Sequence, residues 1–166
     1  MNPKPAHAAL EPIKFLLGTW RSISAHGKFA ERVAPFVYCE QLEFTTCGQP
    51  MLNYTSTSWH AVDKYPMHME TGFMRIIPNT NNVNLFLAHN FGLTTIEEGF
   101  VAETSLKLKS TSVSRSPNVK TPKVLGIERN LTLLDDGKLQ LVLYMSTNEV
   151  PEMTQHLAVI YEKVIE

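Results

Sequence analysis

Nine stretches of this chain alternate apolar and polar residues with a period of two, and a turn signal closes each of them within a few residues. They read "FVYCEQLEFTT" (36–46), "MLNYTSTSWHAV" (51–62), "PMHMETGFMRII" (66–77), "VNLFLAHN" (83–90) and "LTTIEEGFVAE" (93–103). Then come "SLKLKSTSVS" (105–114), "GIERNLTLL" (126–134), "LQLVLYMSTN" (139–148) and "QHLAVIYEKV" (155–164). Between them lie Cys47-Gly48-Gln49-Pro50, Asp63-Lys64, Pro78 to Asn82, Gly92, the polar loop "RSPNVKTPK" and the hairpin signal Asp135-Asp136-Gly137. Successive side chains on a strand point to opposite faces, so each stretch offers one face for burial. Nine or ten such strands with tight connections specify an antiparallel up-and-down sheet. A sheet of that width curls, and closure removes its exposed edges. The expected fold class is all-β, a closed β-barrel.

One helix is expected, around residues 9 to 17 of "ALEPIKFLLGTW": Pro12 is tolerated in a first turn and Gly18 can end it. Leu10, Ile13, Phe15, Leu16 and Leu17 are too many apolar residues for a surface helix, so the segment is read as a plug. At 166 residues the chain suits one domain, residues 9–166, behind a loose tail of residues 1–8. A net charge of -1 gives no overall field for nucleic acid or acidic lipid. The start "MNPKPAHAALEP" has no apolar run behind a basic cap, and no stretch approaches the ~20 apolar residues of a membrane helix. Cys39 and Cys47 have neither redox nor zinc-pair spacing and are read as reduced thiols of a cytoplasmic protein.

A barrel of eight or more strands can hold a small ligand, so inward-facing polar residues carry the functional question. His7 falls in the tail and His26 in "AHGK", read as a loop; both are expected to be solvated. His60 and His89 fall near strand ends and read as surface or hydrogen-bonded residues. His68 and His156 lie near a rim, each either a structural histidine or a ligand. Alternation puts His156 with Ala158 and Ile160 on one face, opposite Leu157, Val159 and Tyr161. An imidazole among apolar neighbours costs about 1–3 kcal/mol unless its nitrogens find partners. One histidine cannot build a zinc site, but it suffices for haem, whose porphyrin supplies four nitrogens. Met67, Met69, Met74 and Phe73 around His68, with Met145 and Met153 before His156, are core filling that also suits a flat apolar ligand. No nucleophile elbow or phosphate-binding glycine loop is present, and Glu97 and Glu98, as strand neighbours, point to opposite faces. Arg115, Lys120 and Lys123 read as a ligand portal or a solvated loop.

Seven segments together resemble the nitrobindin family of haem-binding β-barrels: "FLLGTW" (15–20), "PFVYCEQLEF" (35–44), "GQPMLNYTSTSWH" (48–60), "PMHMETGFMR" (66–75), "GLTTIEEG" (92–99), "GKLQLVLYMST" (137–147) and "MTQHLAVIYEKV" (153–164). The resemblance implies a ten-stranded antiparallel barrel with a short N-terminal helix, lipocalin-like or fatty-acid-binding-protein-like in outline. It implies ferric haem b at one mouth, with His156 as axial iron ligand and catalytic through that iron. His68, in the Pro-Met-His motif, would lie beside the porphyrin, with Met67 and Met145 approaching the pocket. Isomerisation of peroxynitrite to nitrate, nitric oxide binding and a possible homodimer follow from the same resemblance, with no nucleic acid or membrane partner. The family's Gly-x-Trp-x-Gly-x-Gly signature departs here: Gly18 and Trp20 remain, but Ser22 and Ser24 replace its later glycines. Arg32 stands where the family has a haem-contacting threonine and could pair with a propionate instead. The loop "NEVPE" before His156 carries an extra residue. Two rival readings remain. A carrier of fatty acid or another apolar ligand would need an inward cation, Arg75 or Arg129; an interaction module would bind neither ligand.

Overall fold

In a computed structural model, whose described residues are 4–165, ten antiparallel strands close into one barrel. They are β1 Gly18–Phe29, β2 Val33–Thr46, β3 Met51–His60, β4 Pro66–Ile76, β5 Asn82–His89, β6 Leu93–Ala102, β7 Ser105–Arg115, β8 Val124–Leu133, β9 Leu139–Thr147 and β10 Thr154–Lys163. Each pairs with its neighbours in sequence, and β10 returns to β1 to complete the wall. Nine of these correspond to the alternating stretches. The tenth, β1, includes His26, which is exposed on a strand and not in a loop.

Alternation governs which face is buried. Along β6, Leu93, Thr95, Glu97 and Val101 point inward, while Thr94, Ile96 and Glu98 face out. The expected helix is a 3₁₀ helix, Ala8–Leu16, capped by the His7 ring, whose Nδ1 accepts from the Ala9 amide at 3.1 Å. It plugs one end of the barrel: Leu10, Ile13 and Leu16 are at most 1% exposed, packed with Trp20, Leu42, Phe44, Met74 and Leu139. The Trp20 indole donates to the Leu16 carbonyl at 2.8 Å and ties the plug to β1. A smaller apolar cluster, Leu93, Val124, Ile127 and Leu143, lines the opposite end.

Bulges break the alternation at defined places. On β1 the register slips between Ser22 and Ser24, leaving Ile23 outside. The Ser22 hydroxyl accepts the Glu40 amide at 2.8 Å, so the serine that replaces a family glycine stitches the irregular strand to β2. Cys39 and Cys47 are free, half-buried thiols.

Candidate functional site

The end opposite the plug opens over a cavity of about 510 Å³, within the ~300–1,000 Å³ typical of small-molecule sites. Its wall is largely apolar, with Phe29, Leu93, Ile127, Leu143, Met145 and Leu157 among its residues. A larger hollow, about 640 Å³, lies on the outer wall over Gly72, Phe73 and Phe86, but no imidazole or charged side chain borders it.

His156 stands at the lip of the inner cavity. Strict alternation would turn it outward, because Val159 and Tyr161 fill the core. The β10 register against β9 runs Gln155 opposite Tyr144 and then Leu157 opposite Leu143, so His156 is the extra residue of a bulge. A bulge re-aims a side chain, and this one lets His156 and its neighbour Leu157 border the same cavity. The ring Nδ1 lies 2.8 Å from the Lys28 carbonyl. A carbonyl only accepts, so Nδ1 carries the proton and Nε2 keeps its lone pair. Phe29 meets the ring edge-on at 5.6 Å. Burial lowers the imidazole pKa, while the Lys28 carbonyl opposes that shift; the neutral form is the one that ligates metal.

The cavity floor is ionic. Arg129 faces inward and is 2% exposed. Its Nε donates to Glu97 Oε2 at 2.9 Å and its NH1 to Glu70 Oε1 at 2.6 Å, while Tyr54 donates to the same Glu70 oxygen at 2.7 Å. Burial would lower the Arg129 pKa, but Glu70 and Glu97 hold it well above its ordinary value. Burial would raise the Glu70 pKa, but Arg129, His68 and His89 hold it well below the usual carboxylate range. Arg129 is therefore committed to two carboxylates and is not free to receive a fatty-acid headgroup. Arg75, the other cation considered for that role, is exposed on the outer wall.

Two more histidines adjoin the floor, His89 buried and His68 reaching towards solvent. His68 Nε2 lies 3.0 Å from His89 Nδ1, and these atoms are 3.6 Å and 3.2 Å from Glu70 Oε2. Burial lowers both imidazole pKa values against the pull of Glu70, that of His89 to about 4. His89, read from the sequence as a surface or hydrogen-bonded residue, is the second of these: it is buried and bonded within a polar cluster. The sequence carries only His-x-Glu at 68–70, which shares one strand face; the β4–β5 register that sets Glu70 opposite His89 belongs to the folded sheet. Met145 lines the cavity, whereas Met67 packs against the main core cluster and is not among the lining residues. Arg32 reaches the rim, 3.4 Å from Glu149. Lys120 and Lys123 are exposed, and Arg115 donates to the Val124 carbonyl.

A lumen plugged at one end and open at the other over an apolar cavity, with a bare imidazole nitrogen at its lip, defines a ligand-binding β-barrel. The model of the THAP4-like, heme-binding beta-barrel domain matches residues 9–163. The human peroxynitrite isomerase THAP4 is 39% identical over 163 residues, 98% of this chain, and the chain spans only 28% of that relative's length. Peroxynitrite isomerase 2 of Mycobacterium avium is 32% identical over 97% of this chain and 98% of its own length. The crystal structure of Rv2717c from M. tuberculosis superposes with a TM-score of 0.84 at 29% identity, covering 97% of this chain and 100% of that one. The chain belongs to this nitrobindin family of haem-binding barrels. The mouth fits such a cofactor: His156 Nε2 is unengaged by the bond that fixes its ring, the cavity wall is apolar, and a guanidinium stands at the rim.

Proposed function

We infer that the chain holds ferric haem b through His156 Nε2 and isomerises peroxynitrite to nitrate, with nitric oxide as a further ligand. The observation that carries this reading is the Lys28 carbonyl bonded to His156 Nδ1 at a bulge on the cavity lip. Full-length relatives that bear the name peroxynitrite isomerase support the activity. Bound at His156, ferric haem would supply a Lewis acid for the rearrangement of peroxynitrite to nitrate.

The chain's own residues supply ligation, orientation and an apolar surround. The Lys28 carbonyl fixes the tautomer and raises the basicity of Nε2. Phe29, and Phe36 at 6.5 Å, border the ring and limit its rotation. Leu143, Met145, Ile127 and Leu157 give the cavity an apolar wall against which a flat apolar ligand can pack. Arg32, on the rim beside Glu149, offers a cation to a propionate. His68, partly exposed where the cavity meets solvent, would lie beside a bound porphyrin and leave ligation to His156.

Hemin titration of wild type and His156→Ala, followed at the Soret band, tests the ligand. The wild type saturates at one haem and the variant loses affinity by at least ~100-fold, beyond the 10–100-fold typical of supporting groups. Equal binding by both proteins removes His156 from the role. Stopped-flow decay of peroxynitrite with nitrate quantified then tests the activity, since a haem-loaded protein that leaves the decay rate unchanged is a carrier and not an isomerase.

A further inference from the structure

We propose that His68 Nε2, His89 Nδ1 and Glu70 Oε2 form a binding site for one divalent transition-metal ion, distinct from the haem ligand His156. The three donor atoms are 3.0, 3.2 and 3.6 Å apart. A tetrahedral ion held at about 2.0–2.2 Å from each donor needs donor separations of about 3.3–3.6 Å, so the triangle is nearly the right size before any ion enters. Two imidazoles and one carboxylate are the donor set of His₂Glu zinc sites and of facial iron sites, and a poor one for calcium or magnesium. Among the described residues, these three are the group of histidine, cysteine and acidic side chains close enough to share a metal ion.

Proton placement points the same way. Glu97 Oε1 and Oε2 take hydrogen bonds from Arg129 and can only accept, so the Thr95 hydroxyl donates to Oε1 at 3.3 Å. Thr95 Oγ1 must then accept from His89 Nε2, 3.2 Å away. With its proton on Nε2, the neutral His89 ring has a bare lone pair at Nδ1. That lone pair accepts from His68 Nε2 at 3.0 Å, and it also lies 3.2 Å from a carboxylate oxygen that has no hydrogen to offer it. A cation in place of the His68 hydrogen turns three mutually crowded donors into ligands.

The surroundings resemble a prepared outer shell. His89 is oriented through Thr95 to Glu97, and the second oxygen of Glu70 is held by Tyr54 and Arg129. Arg129 NH2 also lies 3.3 Å from Glu70 Oε2, which has lone pairs for both partners. One guanidinium against two carboxylates leaves a single negative charge in this buried cluster, which favours a cation; a divalent ion leaves one positive charge over, which an anion in the fourth position would balance. Access comes through the cavity, since all three ligands border it and His68 is partly exposed. The fourth coordination position therefore faces the cavity and can take water or a small anion.

The site needs no haem, so it is tested on the haem-free full chain by Zn(II) titration against a chromophoric chelator, repeated with Co(II) for its visible absorption. The wild type should bind one ion, and Co(II) should give the intense bands of a four-coordinate nitrogen-oxygen site. His89→Gln and His68→Gln should each weaken Zn(II) by at least ~100-fold, whereas His156→Ala should leave it unchanged. His68 is partly exposed, so its variant reports on ligation even if His89→Gln folds poorly. No saturable Zn(II) binding by wild type, undiminished binding by His68→Gln, or loss with His156→Ala alone would each overturn the site. None of these results bears on hemin uptake, which is measured separately.

Discussion

The two ends of this barrel are made of the same alternating strands and do opposite things. At the plugged end, Leu10, Ile13 and Leu16 fill the lumen against Trp20, Phe44 and Met74, and every inward position is used for packing. At the open end, the apolar residues Leu93, Ile127, Leu143 and Met145 line a cavity, above a floor of Arg129, Glu70, Glu97 and two histidines. Burial of apolar area without voids is what stabilises. The open end gives up packing and holds buried charge to keep a ligand space, so it has to be stabilised by its ion pairs and by the end that is closed.

The largest test of that contrast is Arg129→Met. It leaves Glu70 and Glu97 buried with no cation, and urea denaturation should show a loss of about 3–5 kcal/mol. A loss under 1 kcal/mol would mean that the floor is not the charged network described. At the other end, Leu16→Ala opens a cavity in the plug and should cost about 2–5 kcal/mol, with hemin affinity unchanged at temperatures where the variant is folded. Reduced hemin affinity there would show that the ends are coupled.

Glu40 sits between the two and has no guanidinium among its hydrogen-bond partners: Ser56 and Tyr161 donate to it at 2.6 and 2.7 Å. Burial raises its pKa above the ordinary carboxylate value, with those hydroxyls partly offsetting the shift. The unfolded chain releases this proton first, so the stability tied to the protonated form is full in acid and drains away as pH rises through the folded value. Glu40→Gln removes that loss. Its unfolding free energy should match wild type near pH 4 and exceed it towards pH 7, by up to about 1.4 kcal/mol per pH unit across the interval. Parallel pH profiles would sink the idea. Smallest of all, His156→Ala should change the stability of the haem-free protein by less than about 1 kcal/mol, because the ring is only half-buried. A larger loss would recast His156 as a structural histidine.

Much of this architecture was legible in the residues. Period-two alternation and turn chemistry located nine strands, and the apolar crowding in "IKFLL" marked the plug, because both signals are local. β1 escaped notice, since "RSISAHGK" carries few large apolar residues and a bulge interrupts its alternation. Composition also placed His156 near a rim, and the segment resemblance singled it out. Alternation by itself puts it on the face opposite Val159, so the inward aim expected from the resemblance depends on the bulge at the β10–β9 register.

What the sequence determined by itself, then, was nine of the ten strands with the phase of their regular stretches, the plugged end and the family to which the chain belongs. The tertiary structure decided where His156 points, that Arg129 on β8 would meet Glu70 on β4 and Glu97 on β6, and that His89 would join His68. Alternation is a property of neighbours along one strand. A bulge, a register and a contact across a lumen exist only once the sheet has closed, when residues far apart in the chain are held within a few ångströms of one another.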